Sequence, residues 1–207
     1  MAQTFALIPM KRFDQAKSRL RGQLSDGARD ALARSMFARV LAAADGCSAI
    51  DRVAVLTNGD EVARLAADAG AHVLPDPNPP LDSLGALIDR AWSQLPALGA
   101  ERAVVLMADL PYLDASDVAA LAAALDGSDL ALVKDRRGHS TNALALRLPA
   151  RFASAFGQAE SYRLHLARAT EHGLVVAQLD QPRIAHDVDI PEDLPDPSAR
   201  GDAFATG

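Results

Sequence analysis

The chain has 207 residues, 49% hydrophobic and 23% charged, with a formal net charge of -6, which is enough for one sizeable core and lies in the ordinary globular range. The acidic balance excludes the basic face that general nucleic-acid binding needs, and the single cysteine, Cys47, excludes an internal disulfide and fits a reducing compartment. No run reaches the roughly 18 apolar residues of a membrane span and no charged-then-apolar leader precedes the first strand, so the expectation is a cytoplasmic protein with neither membrane nor nucleic acid as partner.

Thr4–Ile8 reads as a buried first strand that spills into a loop carrying Lys11, Arg12, Lys17, Arg19 and Arg21. A cation cluster at a strand end in an acidic chain suggests a polyanion pocket, with a nucleoside triphosphate as the obvious candidate; a solvated basic loop is the plainer alternative. Ser25 is a good N-cap for a helix running to about Ala44. Leu32, Met36 and Val40 form its apolar stripe, flanked by Phe37, Leu41 and Ala44. A strand over Arg52–Thr57 and a helix after the Asn58-Gly59 turn follow, then a strand over Ala71–Leu74. The proline-rich stretch from Pro75 to Pro80 reads as a rigid loop over the carboxyl edge of the sheet. Beyond it the pattern gives a helix over Leu81–Leu95, a strand over Ala103–Met107, a helix over Ser116–Leu125 and strands over Leu130–Lys134 and Ala143–Leu148. A helix over Ser161–His172 and a strand over Leu174–Leu179 complete it. Such alternation builds an α/β fold, a three-layer α/β/α sandwich with a mostly parallel central sheet. Several strands are continuous apolar runs, as strands covered on both faces should be. One domain over residues 1–194 and a flexible tail over 195–207 are expected.

In such sheets ligands lie where loops leave the carboxyl ends of strands. The fourth strand delivers Ala108-Asp109-Leu110-Pro111, a carboxylate at the tip of a buried strand. The fifth delivers the polar, glycine-containing run Lys134 to Asn142, and the chain later presents Asp187-Val188-Asp189 before Pro191. Asp109 could instead cap the next helix, and Asp187 and Asp189 could face solvent or precede a helix begun by Pro191. Taken together, two hard oxygen ligands, triphosphate oxygens and water suit Mg²⁺. It would neutralise the triphosphate and orient the α-phosphorus while Lys and Arg stabilise departing pyrophosphate. No G-x-x-x-x-G-K-[ST], G-x-G-x-x-G, H-E-x-x-H or C-x-x-C occurs, so neither a P-loop, a dinucleotide fingerprint nor zinc is supported. His72 and His172 read as surface or packing residues, whereas His139 and His165 fall in segments expected to line the pocket, although each alone is more often structural.

These residues resemble the guanylyltransferases of coenzyme F-420 biosynthesis, within the nucleotide-diphospho-sugar transferase (GT-A-like) superfamily. The likeness runs through Ile8-Pro9-Met10-Lys11 with Ala16-Lys17-Ser18-Arg19-Leu20, Ala108-Asp109-Leu110-Pro111 and Arg136 to Leu144. It continues through Phe156-Gly157 with Ser161 and His165, and ends in Asp187 to Leu194. The resemblance implies a nucleotide-diphospho-sugar transferase-like fold and GMP transfer from GTP to 2-phospho-L-lactate, phosphoenolpyruvate or 3-phospho-D-glycerate, with pyrophosphate released. It places Mg²⁺ on Asp109 and Asp187, with Asp189 beside them, and the triphosphate on Lys11, Lys17 and Arg19. The phospho-acid falls to Thr141, Gly157 and Ser161, with His139 and Asn142 alongside. Three departures bear on the acceptor. His139 and Ser140 replace a Thr-Gly pair, Gly85 replaces an Asn after Leu84, and an extra residue before Ser161 makes Glu160 the alternative acceptor contact. Other readings of the chain are a different nucleotidyltransferase or glycosyltransferase of the fold, since Asp187-Val188-Asp189 is a D-x-D, or a non-catalytic GTP-binding domain. A homodimer is compatible with the sequence, and no base-reading residue is legible in it.

Overall fold

The computed structural model describes residues 2–77 and 81–194. Seven strands, β1 (Thr4–Pro9), β2 (Arg52–Thr57), β3 (His72–Pro75), β4 (Arg102–Leu106), β5 (Leu130–Lys134), β6 (Thr141–Arg147) and β7 (Val176–Gln178), form one sheet in the order β3-β2-β1-β4-β6-β5-β7. Only β6 runs against its neighbours β4 and β5; the other pairings are parallel. Helices α1 (Asp26–Asp45), α2 (Asp60–Asp68), α3 (Leu84–Gln94), α4 (Ala115–Ala124), α5 (Ser161–Glu171) and the short α6 (Pro182–Ala185) complete the fold.

The pleat of β1 explains the layering. All six of its residues are buried; Ala6 and Ile8 pack with α1 residues Phe37 and Val40, whereas Phe5 and Leu7 pack with α3 residues Ile88 and Trp92. β4 divides in the same way, Val104 and Leu106 to one side, Ala103 and Val105 to the other. Successive side chains point to opposite faces, so a strand covered on both sides must be apolar throughout. The sandwich expected from the alternation is therefore formed.

Helix starts follow their caps. Ser25 Oγ accepts from Ala28 N–H at 3.2 Å, and Ser83 Oγ accepts from Ala86 N–H at 3.1 Å. α3 thus begins at Leu84, three residues after the expected Leu81. The last strand is shorter than expected, Val176–Gln178 against Leu174–Leu179, because Leu174 N–H closes the helix end onto Ala169 O instead. α6 is an unanticipated addition, and Pro191 opens only a single 3-10 turn, Pro191–Asp193. Of the expected proline-rich loop, residues 78–80 lie outside the described residues, as does the tail 195–207. Among the described residues no helix is long and apolar enough to cross a membrane.

Candidate active site

A cleft of about 550 Å³ opens along the carboxyl edge of the sheet, lined by Lys11, Lys17, Arg19, Asp76, Asp109 and Asp189 among others. The loop after β1 supplies its cations. Phe13 and Leu20 are buried and anchor the loop, while the guanidinium of buried Arg29 donates to Ala16 O at 3.0 Å. Between these anchors Lys17 is held in the left-handed region, φ 52° and ψ 37°, a conformation that persists only where surroundings enforce it.

That conformation delivers Lys17 Nζ to Asp109 Oδ2 at 2.6 Å and to Asp189 Oδ1 at 3.0 Å, with the side chain only 9% exposed. Burial works against the ammonium charge, but Asp109 and Asp189 outweigh it and raise the Lys17 pKa above its ordinary value. Exposed Arg19 donates to the other Asp189 oxygen at 3.3 Å. Asp109 Oδ1, by contrast, is buried with no hydrogen-bond partner among the described residues. Asp187 lies close by, since Val188 N–H donates to Asp109 O at 3.3 Å. Burial, then the Asp109 charge, pushes the Asp187 carboxyl up to about 6 despite a 3.2 Å bond from Asn142 Nδ2. An orphaned carboxylate oxygen beside a second under-compensated carboxylate could hold a divalent cation. Among the described residues no group of three or more His, Cys, Asp and Glu could do so unaided.

A fourth carboxylate, Asp193, builds the segment carrying Asp187 and Asp189. It is 1% exposed and accepts from Arg136 at 2.6 Å, Arg137 at 2.7 Å, Asp189 N–H at 2.9 Å and Ile190 N–H at 3.0 Å. Burial alone would raise its pKa; the Arg137 bond and the two backbone donors hold it down to about 2. Asp135 Oδ1 likewise accepts from the N–H groups of His139 and Ser140, shaping the turn before β6.

The remaining sequence-derived candidates gather around the start of α5, away from the lining of the principal cleft. Thr141 N–H donates to Ser161 Oγ at 2.9 Å, and both residues are 3% exposed. His165 is wholly buried: its Nε2 accepts from Ala155 N–H at 2.8 Å, so Nδ1 carries the proton and donates to Thr141 Oγ1 at 2.9 Å. Burial, then Arg168, lowers its pKa to about 3. Of the two readings of His165, pocket-lining or structural, the geometry favours the structural one, because its ring is committed at both nitrogens. His139 is exposed and pairs with Glu160 Oε1 at 2.6 Å; Glu160 occupies the N-cap of α5 at φ 56°, and Ser161 is the first helical residue. Asn142 donates to Ile184 O at 2.9 Å besides Asp187, so its amide orients a carboxylate. Gly157 has φ +79°, and a Cβ there would approach Leu84 Cβ to 3.1 Å. A Cβ on Gly85, one of the departures that bear on the acceptor, would meet the carbonyls of Ser154 and Phe156 at 3.2 and 3.3 Å, so the glycine lets α3 abut that turn. Sequence reasoning gave no role to Asp193, Asp135, Arg29 or Asp76; for Asp135 and Asp76 the available signal was a charged residue in a loop following a strand, and Arg29, in the first turns of α1, gave none.

Cations after the first strand, a carboxylate after the fourth and two more near the chain's end, all on one sheet edge, define an α/β protein of the nucleotidyltransferase class. Solved structures agree on the fold. A protein of the nucleotide-diphospho-sugar transferase type from Desulfovibrio desulfuricans G20 superimposes with TM-score 0.71 at 17% identity, over 92% of this chain and 84% of that one. A CMP:2-keto-3-deoxy-manno-octonic acid synthetase complexed with CTP gives TM-score 0.60 at 15% identity, over 92% and 95%. More specifically, residues 4–203 match the family described as guanylyl transferase CofC like, and the chain belongs to that family. It is 37% identical over 191 residues to the phosphoenolpyruvate guanylyltransferase of Sphaerobacter thermophilus, covering 92% of this chain and 90% of the relative. To the 3-phospho-D-glycerate guanylyltransferase of Phenylobacterium zucineum it is 38% identical over 185 residues, 86% and 82% covered. Against the 2-phospho-L-lactate guanylyltransferase of Methanothermobacter thermautotrophicus it is 30% identical over 191 residues, 92% and 82% covered.

Proposed function

We propose that this chain transfers GMP from GTP to a phosphorylated three-carbon acid, releasing pyrophosphate, as a step of coenzyme F-420 biosynthesis in the cytoplasm. Curated relatives acting on phosphoenolpyruvate, 3-phospho-D-glycerate and 2-phospho-L-lactate all support an acceptor of that class. In the step, a phosphate oxygen of the acceptor attacks the α-phosphorus of GTP. The bond to the bridging oxygen breaks, and pyrophosphate leaves with that electron pair. No protein nucleophile is needed, so catalysis rests on positioning and charge.

The observation that carries the reading is the tip of β4, where Asp109 leaves one oxygen unpartnered beside the Lys17 ammonium in the cleft. The donor set fits Mg²⁺, held by Asp109 and Asp187 with Asp189 beside them and completed by phosphate oxygens and water. When bound, it would supply charge neutralisation at the α-phosphorus. Lys11, Lys17 and Arg19 at the cleft rim supply positive charge for the triphosphate and the departing pyrophosphate. For the acceptor, the first turn of α5 offers backbone N–H groups and the Ser161 hydroxyl, which still has its own proton to donate after accepting from Thr141. Gly157 and exposed His139 flank that turn.

The test is pyrophosphate release with GTP and Mg²⁺, offering each of the three acids separately. Release with one acid establishes the reaction and the acceptor. Silence with all three from folded, GTP-binding protein would overturn the assignment.

A further inference from the structure

The cleft has two chemically different ends. Lys11, Lys17 and Arg19 crowd the end near β1 and β4, whereas Leu56, Leu84 and Leu87 line the end near β2 and α3. A nucleoside triphosphate laid across the edge must put its phosphates on the cations, which leaves the apolar end for the flat base. Asp76 lies at that apolar end. It directly follows β3, the outermost strand, and its backbone N–H is fixed by Thr57 O at 3.2 Å. From the tip of β3 to the tip of β4 is three interstrand spacings, about 14 Å, so Asp76 and Asp109 stand at opposite ends of the groove.

Four carboxylates line this cleft: Asp76, Asp82, Asp109 and Asp189. Asp109 and Asp189 are engaged by Lys17, and Asp82 is exposed ahead of the Ser83 cap. Asp76 is half-buried, and among the described residues its carboxylate accepts no hydrogen bond from another side chain or N–H. Burial raises its pKa, as expected for an acid lacking a compensating donor. A half-buried acceptor-only group beside an apolar slot asks for a ligand that presents two adjacent donors. Guanine does so with N1–H and its 2-amino group; adenine presents an acceptor, N1, at the same place.

Resting on the guanylyltransferase reading, the geometry points to Asp76 as the base-selecting residue, its two carboxylate oxygens accepting from N1–H and the 2-amino group of guanine. A site built around a hydrogen-bonding group rejects ligands that leave it unpaired, and this preference needs no turnover to be seen.

The experiment is calorimetric titration of the full chain, with Mg²⁺ present, by GTP, ITP, XTP and ATP, comparing wild type, Asp76→Asn and Asp82→Asn. Wild type should bind GTP roughly 10- to 100-fold more tightly than ITP, which lacks the 2-amino group, and should disfavour XTP and ATP. Asp76→Asn should weaken GTP by a similar factor, remove the GTP-over-ITP preference and bind XTP better than GTP, because the amide can donate to the 2-oxo group. Asp82→Asn, on the same rim, should leave the order unchanged. Thermal melts of both variants should match wild type, since among the described residues neither carboxylate accepts a hydrogen bond. Unchanged GTP:ITP:XTP ratios in Asp76→Asn, or a shifted order in Asp82→Asn alone, would overturn the proposal. A wild type that selects GTP as described but releases no pyrophosphate with any acceptor would overturn the proposed reaction and leave the base assignment standing.

Discussion

Lys17 Nζ stands 2.6 Å from Asp109 Oδ2 and bridges to Asp189 at 3.0 Å, so one ammonium from near the chain's start ties together a carboxylate from its middle and one from near its end. It occupies the side of Asp109 that a divalent cation does not need, since the other oxygen is the orphaned one. Lys17→Met removes the charge and keeps the length. Turnover should fall roughly 10²- to 10³-fold, the scale of deleting one pre-placed charge at a reacting group. The nucleotide-free protein should also lose stability that Mg²⁺ partly restores, because Asp109 then has no cation beside it and Asp189 keeps only exposed Arg19. Melting curves with and without Mg²⁺ check this; a variant whose melting point responds to Mg²⁺ no more than wild type would show that the lysine does not offset those charges.

Asp109→Asn keeps the side chain's volume and Oδ2-like acceptor but removes the charge on the unpartnered oxygen. The expected outcome is loss of pyrophosphate release by roughly 10³-fold or more, with an unaltered circular dichroism spectrum. Near-normal release in that variant would refute the metal assignment.

How much of this was legible differs by interaction range. The strands were readable because a strand covered on both faces is apolar throughout, as Phe5 to Ile8 and Ala103 to Leu106 are. The cation loop and Asp109 were readable because chemistry in such folds gathers at strand ends. The start of α3 was misplaced because Leu81 extends the apolar pattern while the true signal was the Ser83 cap. His165 looked like a pocket residue because nothing local betrays a ring bonded to Thr141, 24 positions earlier. The Asp193 clamp was invisible for the same reason, its arginines lying 57 and 56 residues away.

That clamp predicts a stability effect without direct contact to the cleft. Removing one partner of a buried ion pair costs roughly 3–5 kcal/mol; both arginine side chains are well exposed, 40% and 39%, so solvent screening reduces the effect to roughly 2 kcal/mol. Asp193→Asn should lower the unfolding free energy read from urea melts by about that much and raise the Mg²⁺ concentration that activity requires, since one amide oxygen cannot accept from both the arginines and the N–H groups of Asp189 and Ile190. Saturating Mg²⁺ should recover more activity than it recovers stability. A variant with a wild-type midpoint would show that the arginines contribute nothing through Asp193.

His165 sets an acid limit on the fold. Folded, it titrates at about 3; its ordinary value is 6.5. Between those values the unfolded chain binds a proton that the folded chain refuses, so stability falls as pH drops below 6.5 and gains nothing from this group above it. By pH 5 the loss is about 2 kcal/mol. That window lies above the range in which Asp193, held at about 2, contributes its own acid sensitivity. His165→Gln retains an acceptor for Ala155 N–H and cannot be protonated: its stability should be lower at pH 7 by roughly 1–3 kcal/mol, but it should escape the roughly 2 kcal/mol that His165 takes from wild type by pH 5, while Asp187, at about 6 when folded, acts in the opposite direction in both proteins. Urea melts of both proteins at pH 7, 6 and 5 decide the matter: a variant whose stability changes with pH in parallel with wild type would mean the ring does not stay neutral in its buried position between Thr141 and Ala155.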